Sequence, residues 1–314
     1  MSSFVAAGTA YATHGVNTIP FFIYYSMFGF QRIGDLIWAA GDSRARGFLL
    51  GGTSGRTTLA GEGLQHQDGN SQLFALAYPN CVSYDPAFAY EIAIIIEDGI
   101  KRMYVNQESI FYYLTVMNEQ YAMPEMPAGS KEGILKGMYR FRAASKPKAA
   151  LRAQLLGSGA ILPEVIKAQE ILESKYNVSA DVWSVTSYTE LYRDGHASER
   201  WNMLHPADAP RVPYVTECLK DAPGVLIAAS DYVKAMPDAI DRWLPRPLTV
   251  LGTDGFGRSE TRASLREFFE VDYRYVIVAT LAALARDGKL DASIVDQAIK
   301  AHNINSEKSN PAIS

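Results

Sequence analysis

Residues 24–32 read YYSMFGFQR and residues 51–69 read GGTSGRTTLAGEGLQHQDG, and these two stretches decide the fold class. Each follows a short apolar run, Thr18–Tyr25 and Gly47–Gly51, with the length and composition of a buried strand. Apolar residues recur at helical spacing over about 28–45, which predicts an amphipathic helix between the strands. In a parallel sheet both stretches would emerge at the carboxyl edge, where such folds bind ligands.

The alternation of strand and helix continues along the chain. We predict strands at Asn80–Tyr84 and Ser109–Met117, and a helix between them that begins at Asp85-Pro86, a capping residue followed by proline. One break, with prolines and glycine, lies between residues 123 and 129, and a second break at 144–148 marks the domain boundary, beyond which the pattern restarts. The later predicted strands are 153–157, 181–185, 224–229 and 249–252, and the later helices are 161–174, 272–286 and one capped by Asp291. This pattern predicts an α/β protein built on parallel sheets.

Composition narrows the class of protein. The 314 residues are enough for two domains, and 48% apolar content is ordinary for a globular protein. A net charge of −4 with scattered basic residues argues against nucleic acid or an anionic membrane as a partner. Cys81 and Cys218 are the two cysteines and form no C-x-x-C, and no segment is long and apolar enough to span a membrane. We expect a cytoplasmic protein.

Two glycine-rich segments resemble nucleotide-binding loops only superficially. In a phosphate-binding loop the pattern needs glycine where this chain has Leu50 and lysine where it has Arg56. The segment Gly252–Gly257 reverses the glycine spacing of a dinucleotide fingerprint and lies near the end of the chain. We therefore predict neither a phosphate loop nor a nicotinamide site.

The two decisive stretches carry five candidate site residues. Glu62 and His66 are four residues apart, and a carboxylate beside an imidazole is a credible proton donor and acceptor pair. The alternative is that both serve backbone groups of the loop. Tyr25 and Phe28 could form a wall for a flat ring or simply pack in the core, and Arg32 could bind an anion or pair with a nearby aspartate. The other histidines have no spacing that suggests a metal site: His14, His196, His205 and His302.

Longer motifs point to one family. The chain resembles the thiamin-diphosphate-dependent pyruvate dehydrogenase component of the pyruvate dehydrogenase complex, of the homodimeric bacterial type, from near residue 1 to its carboxyl terminus. The motifs that carry the resemblance are Pro20–Gly29, GFQRIGD at 29–35, GTSGRTTL at 52–59, GEGLQH at 61–66, ERWNMLHP at 199–206 and LGTDGFGRS at 251–259. They are long enough to make the resemblance specific.

The resemblance implies a transketolase-like architecture. Residues 1–145 would be the later part of a pyrimidine-binding domain, and residues 150–314 a transketolase-like C-terminal domain. The family decarboxylates pyruvate on thiamin diphosphate and passes the acetyl unit to a lipoyl group of the acetyltransferase component. Its members work as dimers, so a second copy of this chain or an amino-terminal partner chain is an expected partner.

The resemblance also assigns roles to the candidate residues. By position, Phe28 matches the aromatic residue that lies against the aminopyrimidine ring of the cofactor. Tyr25 and His66 match side chains that face the pyruvate-derived adduct, and Arg32 and Glu62 match further pocket residues. These assignments agree with the aromatic wall and acid–base pair read from the residues themselves.

The chain also departs from the family pattern. Family members are far longer, and the domain that binds diphosphate and Mg²⁺, with the glutamate that protonates the aminopyrimidine, is expected before residue 1 or on a partner chain. Asn70 and Gln72 stand where the family usually has histidines. We expect the carboxyl-terminal portion of such an enzyme, inactive without an amino-terminal half. The alternative is a non-catalytic paralogue that serves as a dimerisation or complex-assembly module.

Overall fold

The fold consists of two β-sheets, each with flanking helices. The computed structural model describes all 314 residues, and none of its helices is both long and apolar enough to cross a membrane. The strands are β1 Phe21–Tyr25, β2 Phe48–Gly52, β3 Cys81–Tyr84, β4 Phe111–Thr115, β5 Met138–Arg142, β6 Leu151–Gly157, β7 Val178–Val185, β8 Val225–Ala229 and β9 Leu248–Leu251. The helices are α1 Ser2–Gly8, α2 Ala10–Thr13, α3 Phe30–Asp42, α4 Ser71–Leu76, α5 Ala89–Ile100, α6 Lys131–Lys136, α7 Leu162–Lys175, α8 Tyr188–Leu204, α9 Tyr214–Leu219, α10 Ala235–Asp238, α11 Arg262–Phe268, α12 Tyr273–Arg286 and α13 Ala292–Ala301.

The first sheet has the order β1-β2-β4-β3, and all of its strands are parallel. In the β1–β2 pair, Phe21 faces Phe48 and Tyr25 faces Gly52, so both strands end at the same edge. The β2 and β4 strands are buried between two apolar clusters, which accounts for their nearly continuous apolar sequences. The predicted convergence of the two decisive stretches at the carboxyl edge is confirmed.

The second sheet has the order β5-β7-β6-β8-β9, with β5 antiparallel to β7 and the others parallel. Its largest apolar cluster lies between the sheet and the helices α7 and α12. The edge strand β5 was not predicted from the sequence. Because residues 138–142 belong to the second sheet, the first sheet ends at Thr115 and the second begins at Met138. The domain boundary at 145–150 stays a prediction.

The start of helix α5 differs from the prediction. We expected Asp85 to cap it, but α5 begins at Ala89, and the side chain of Glu91 accepts a hydrogen bond from the backbone N–H of Phe88 at 3.0 Å. Asp85 is buried instead, where its carboxylate accepts a hydrogen bond from the Thr115 hydroxyl at 2.7 Å. Asp85 therefore makes a tertiary hydrogen bond instead of the helix cap that the local sequence predicted.

Candidate active site

Two short 3₁₀ turns bring three rings together. Ser26–Phe28 follows β1, and Leu64–His66 lies in the loop that follows β2. The ring centroids of Tyr25 and Phe28 are 6.1 Å apart, those of Tyr25 and His66 are 5.7 Å apart, and Phe28 meets His66 edge-on at 5.3 Å. Tyr25 remains 48% exposed, so these rings form an open wall rather than part of the core.

Glu62 and His66, whose spacing suggested an acid–base pair, lie in contact with each other. The Nδ1 atom of His66 lies 3.2 Å from Oε2 of Glu62, and the two side chains are 28% and 47% exposed. If Nδ1 carries the ring proton and donates a hydrogen bond to the carboxylate, Nε2 carries no proton and can accept a hydrogen bond. The alternative, that both residues serve loop backbone groups, does not describe this contact.

Arg32 completes the group. Its guanidinium carbon lies 5.9 Å from the ring centroid of Phe28, within the range of a cation–π contact, and the residue is exposed. It forms no ion pair with a carboxylate of this chain, Asp35 included. All five sequence-predicted residues therefore lie at one exposed edge of the first sheet, while no group of three acidic, histidine or cysteine side chains is arranged to hold a metal ion.

Asp68 is a buried carboxylate that sequence reasoning missed. It accepts hydrogen bonds from the Gln31 amide at 2.9 Å, from the backbone N–H of Asn70 at 3.0 Å and from that of Ser71 at 2.9 Å; the Ser71 hydroxyl also donates to it. Gln31 belongs to the segment that carries Phe28, and Asp68 to the loop that carries His66. This one carboxylate therefore fixes the two segments of the site against each other.

The second half of the chain holds the same loop from the other side. The buried carboxylate of Asp231 accepts a hydrogen bond from the backbone N–H of Thr57, which lies 3.1 Å from Oδ1 and 3.2 Å from Oδ2. The Arg262 guanidinium donates a hydrogen bond to the Thr58 carbonyl at 2.6 Å. The backbone N–H of Arg258 donates to the Gln67 amide oxygen at 2.7 Å. Burial raises the pKa of Asp231 to about 7, against the opposing effect of nearby Arg266 and Thr57. The loop of Glu62 and His66 is thus shaped by both halves.

Arg56, which departs from the phosphate-loop pattern, and Asn70 and Gln72, which depart from the family pattern, are all hydrogen-bonded within the protein. The Arg56 guanidinium is buried and donates to the Gly255 carbonyl and, at 2.8 Å, to the Asn70 side chain. The Gln72 amide donates to the Tyr84 carbonyl at 2.9 Å. Asn70 and Gln72 are therefore both hydrogen-bonded within the protein.

Two family models match successive parts of the chain. The pyruvate dehydrogenase E1 component middle domain matches residues 1–124, and the transketolase-like C-terminal domain matches residues 137–272. The chain is 56% identical over 311 residues to the pyruvate dehydrogenase E1 component of Cupriavidus necator and 55% identical over 313 residues to that of Escherichia coli (strain K12). Each alignment covers 99% of this chain and 35% of the relative, so the chain spans about a third of the length of the curated relatives it matches.

Solved structures show the same fold at low identity. Transketolase from Leishmania mexicana superposes with a TM-score of 0.64 at 18% identity, over 88% of this chain and 36% of the other. A chain from a split-gene transketolase, an inactive β4 tetramer, superposes with a TM-score of 0.60 at 13% identity, over 90% of this chain and 81% of the other. The α/β architecture of both halves is therefore transketolase-like.

Proposed function

Because the chain belongs to the family of pyruvate dehydrogenase E1 components, we propose that it supplies one wall of a site that decarboxylates pyruvate and transfers the acetyl unit to a lipoyl group. The observation that carries the proposal is the convergence of an aromatic wall, an acid–base pair and a free arginine at one exposed edge. We further propose that the chain corresponds to the carboxyl-terminal part of such an enzyme and needs an amino-terminal half, on a partner chain or a further domain.

The residues present suit the pyrimidine half of thiamin diphosphate. Phe28 is half-buried beside Tyr25 and His66, and an aromatic face of this kind stacks on a flat heteroaromatic ring. When bound, thiamin diphosphate supplies an electron sink for the electron pair left when carbon dioxide departs. We assign the diphosphate and its Mg²⁺ to the amino-terminal half.

His66, Glu62, Tyr25 and Arg32 would act on the substrate side. Glu62 holds the imidazole by Nδ1, which leaves Nε2 to take or give a proton beside the reacting atoms. The Tyr25 ring is exposed at the same wall, where its hydroxyl can hydrogen-bond an oxygen of the substrate. The free guanidinium of Arg32 suits the carboxylate of a 2-oxo acid. We expect this chemistry in the cytoplasm, in keeping with two unpaired cysteines.

One observation is also compatible with the alternative function of a non-catalytic assembly module. Phe21 and Ile23, on the edge strand β1, are 45% and 68% exposed. Apolar side chains on an open sheet edge suit association with another polypeptide. Such a surface would serve a catalytic half-enzyme as well as a module without activity, so the two functions must be separated by experiment.

The test is complementation. The chain is mixed with a separately expressed amino-terminal half of a homologous enzyme, thiamin diphosphate and Mg²⁺, and pyruvate-dependent reduction of an electron acceptor is measured. We expect activity that falls by about 100-fold or more in His66→Ala, since general acid–base catalysis contributes roughly 10²–10⁴-fold. His14→Ala, at an exposed histidine outside the site, should retain full activity.

Three results would contradict parts of the proposal. Halves that associate but remain inactive would favour the assembly module. Activity that survives in His66→Ala would remove His66 from the chemistry. Pyruvate oxidation by the isolated chain would show that no amino-terminal half is needed.

A further inference from the structure

A small cavity lined by both polar and apolar side chains lies between the two halves of the chain. Gln72 and Asp85 line it from the first half, and Ser158, Tyr188, Ser230 and Tyr232 are among the residues that line it from the second. The centre of a water-sized sphere can move within a volume of about 10 Å³ inside this cavity. That measure corresponds to one water molecule, which needs roughly 10–15 Å³.

Three of the residues that line this cavity each carry a buried polar atom with no hydrogen-bond partner within the protein: Asp85 Oδ2, Tyr188 Oη and Tyr232 Oη. Their residues are only 7%, 5% and 2% exposed, so bulk water does not serve these atoms. Ser158 lies close enough to lower the pKa of Asp85 against the larger effect of burial, but it closes no hydrogen bond to Oδ2. Thr115 and Ser54 likewise lie close enough to the Tyr232 hydroxyl to lower its pKa against the larger effect of burial, but neither closes a hydrogen bond to it. Buried polar groups in native proteins are almost always paired, so three at one small cavity indicate a shared ligand.

We propose that this cavity binds one water molecule, which joins the two halves of the chain. The donors and acceptors balance. The water accepts a hydrogen bond from each of the two tyrosine hydroxyls and donates one to Asp85 Oδ2. Its second hydrogen is left for a serine oxygen of the lining. A buried water commonly makes three such bonds.

A monovalent cation fits the same space less well. It would satisfy the carboxylate of Asp85, and nearby Glu91 and Asp68 make the surroundings acidic. The hydroxyl hydrogens of Tyr188 and Tyr232, however, would still lack an acceptor, because a cation accepts no hydrogen bond. Water satisfies all three orphaned atoms and is therefore the ligand we assign.

The position of the water gives it a structural role. Asp85 follows β3 of the first sheet, whereas Tyr188 begins α8 and Tyr232 follows β8 of the second half. A molecule bound to all three connects the first sheet to two separate elements of the second half. It is thus part of the packing that sets the orientation of the halves.

A crystal structure of the full chain, at a resolution that shows ordered water, tests the proposal directly. We expect one density peak within hydrogen-bonding distance of Asp85 Oδ2 and of both tyrosine hydroxyls. The absence of a peak would overturn the site. A peak that gives anomalous signal after crystals are soaked in rubidium chloride would overturn the assignment to water and identify a cation.

Stability measurements in solution provide the second test. Tyr188→Phe and Tyr232→Phe each remove one donor while keeping the ring, so both variants should fold. If one water connects the two hydroxyls, the two substitutions should not act independently. The unfolding equilibrium constant of the double variant should then differ by roughly tenfold from the value that multiplying the two single effects gives. Independent effects would overturn the shared ligand. Tyr192→Phe, one turn further along α8 with no hydrogen bond to lose, is the matched control and should leave the equilibrium unchanged.

Discussion

Gly55, in the loop that carries Glu62 and His66, has no room for a side chain. Its φ of +91° is rare for other residues, and a Cβ there would collide with the carboxylate of Asp231. We expect Gly55→Ala to lower the free energy of unfolding by about 2–4 kcal/mol, the sum of backbone strain and overpacking. Gly288→Ala is the matched control, because Gly288 also has a positive φ (+68°) but faces open space. Equal losses in urea denaturation would show that strain alone matters and that the contact with Asp231 does not.

Asp231 should make stability depend on pH in an unusual direction. Its pKa is raised from 3.8 to about 7, so the folded protein holds a proton that the unfolded chain releases. Stability from this group is therefore present at acid pH and is lost as the pH rises from about 4 through about 7. We expect Asp231→Asn, which cannot titrate, to flatten the fall in the free energy of unfolding across that range.

The comparison between wild type and Asp231→Asn tests this group beside Asp85, whose pKa is also raised by burial, to about 6, and whose charge contributes to the raised pKa of Asp231. Urea denaturation at several pH values between about 4 and about 8 provides the measurement. Parallel pH profiles for the two proteins would show that Asp231 stays ionised throughout, with its cost offset by Arg266 and Thr57.

The loop between β2 and α4 owes part of its conformation to the second half of the chain. Arg262 donates to the Thr58 carbonyl, and the backbone N–H of Gly61 donates to the Glu260 carbonyl at 3.1 Å. We expect Arg262→Gln to increase hydrogen exchange at the loop amides around residues 57–66, while the amides of β2 remain protected by their ladder. Arg286→Gln, which alters an exposed contact elsewhere in the second half, should change neither set. Unchanged loop exchange in Arg262→Gln would mean that the remaining contacts suffice.

The elements of the site could be predicted because their signals are local. The apolar runs that become β1 and β2 end in aromatic and glycine residues, and the spacing of Glu62 and His66 is enough to suggest their contact. Asp68 and Asp231 could not be found in this way. Asp231 is 174 residues from Thr57, and nothing in the sequence near it indicates that its carboxylate is buried there. The edge strand β5 was missed because MYRFR is short, only partly buried and follows a glycine-rich break.

At the scale of the whole molecule, a cluster of charges joins the two halves. The Arg266 guanidinium, in α11, contacts the carboxylates of Glu119 and Glu164, the latter at 3.3 Å. Glu119 follows the first sheet, whereas Glu164 belongs to α7 of the second half. The three side chains are 8%, 16% and 19% exposed, so solvent screens their interaction only weakly. Arg266 also donates to the Thr57 hydroxyl at 3.3 Å, which connects this cluster to the loop of the site.

We expect Arg266→Met to weaken both the fold and the association of its halves. Removing the cation leaves Glu164 without its ion pair and Glu119 with only the more distant Arg262, at 4.0 Å, which should cost about 3–5 kcal/mol in the free energy of unfolding. Because the loss falls between the halves, unfolding should separate into two transitions in calorimetry. Arg274→Met is the matched control, since Arg274 pairs with Asp272 and Glu267 within the second half. If both variants lose the same free energy and unfold in one step, Arg266 does not link the halves, and the second half would position the His66 loop through Asp231 and Arg262 instead.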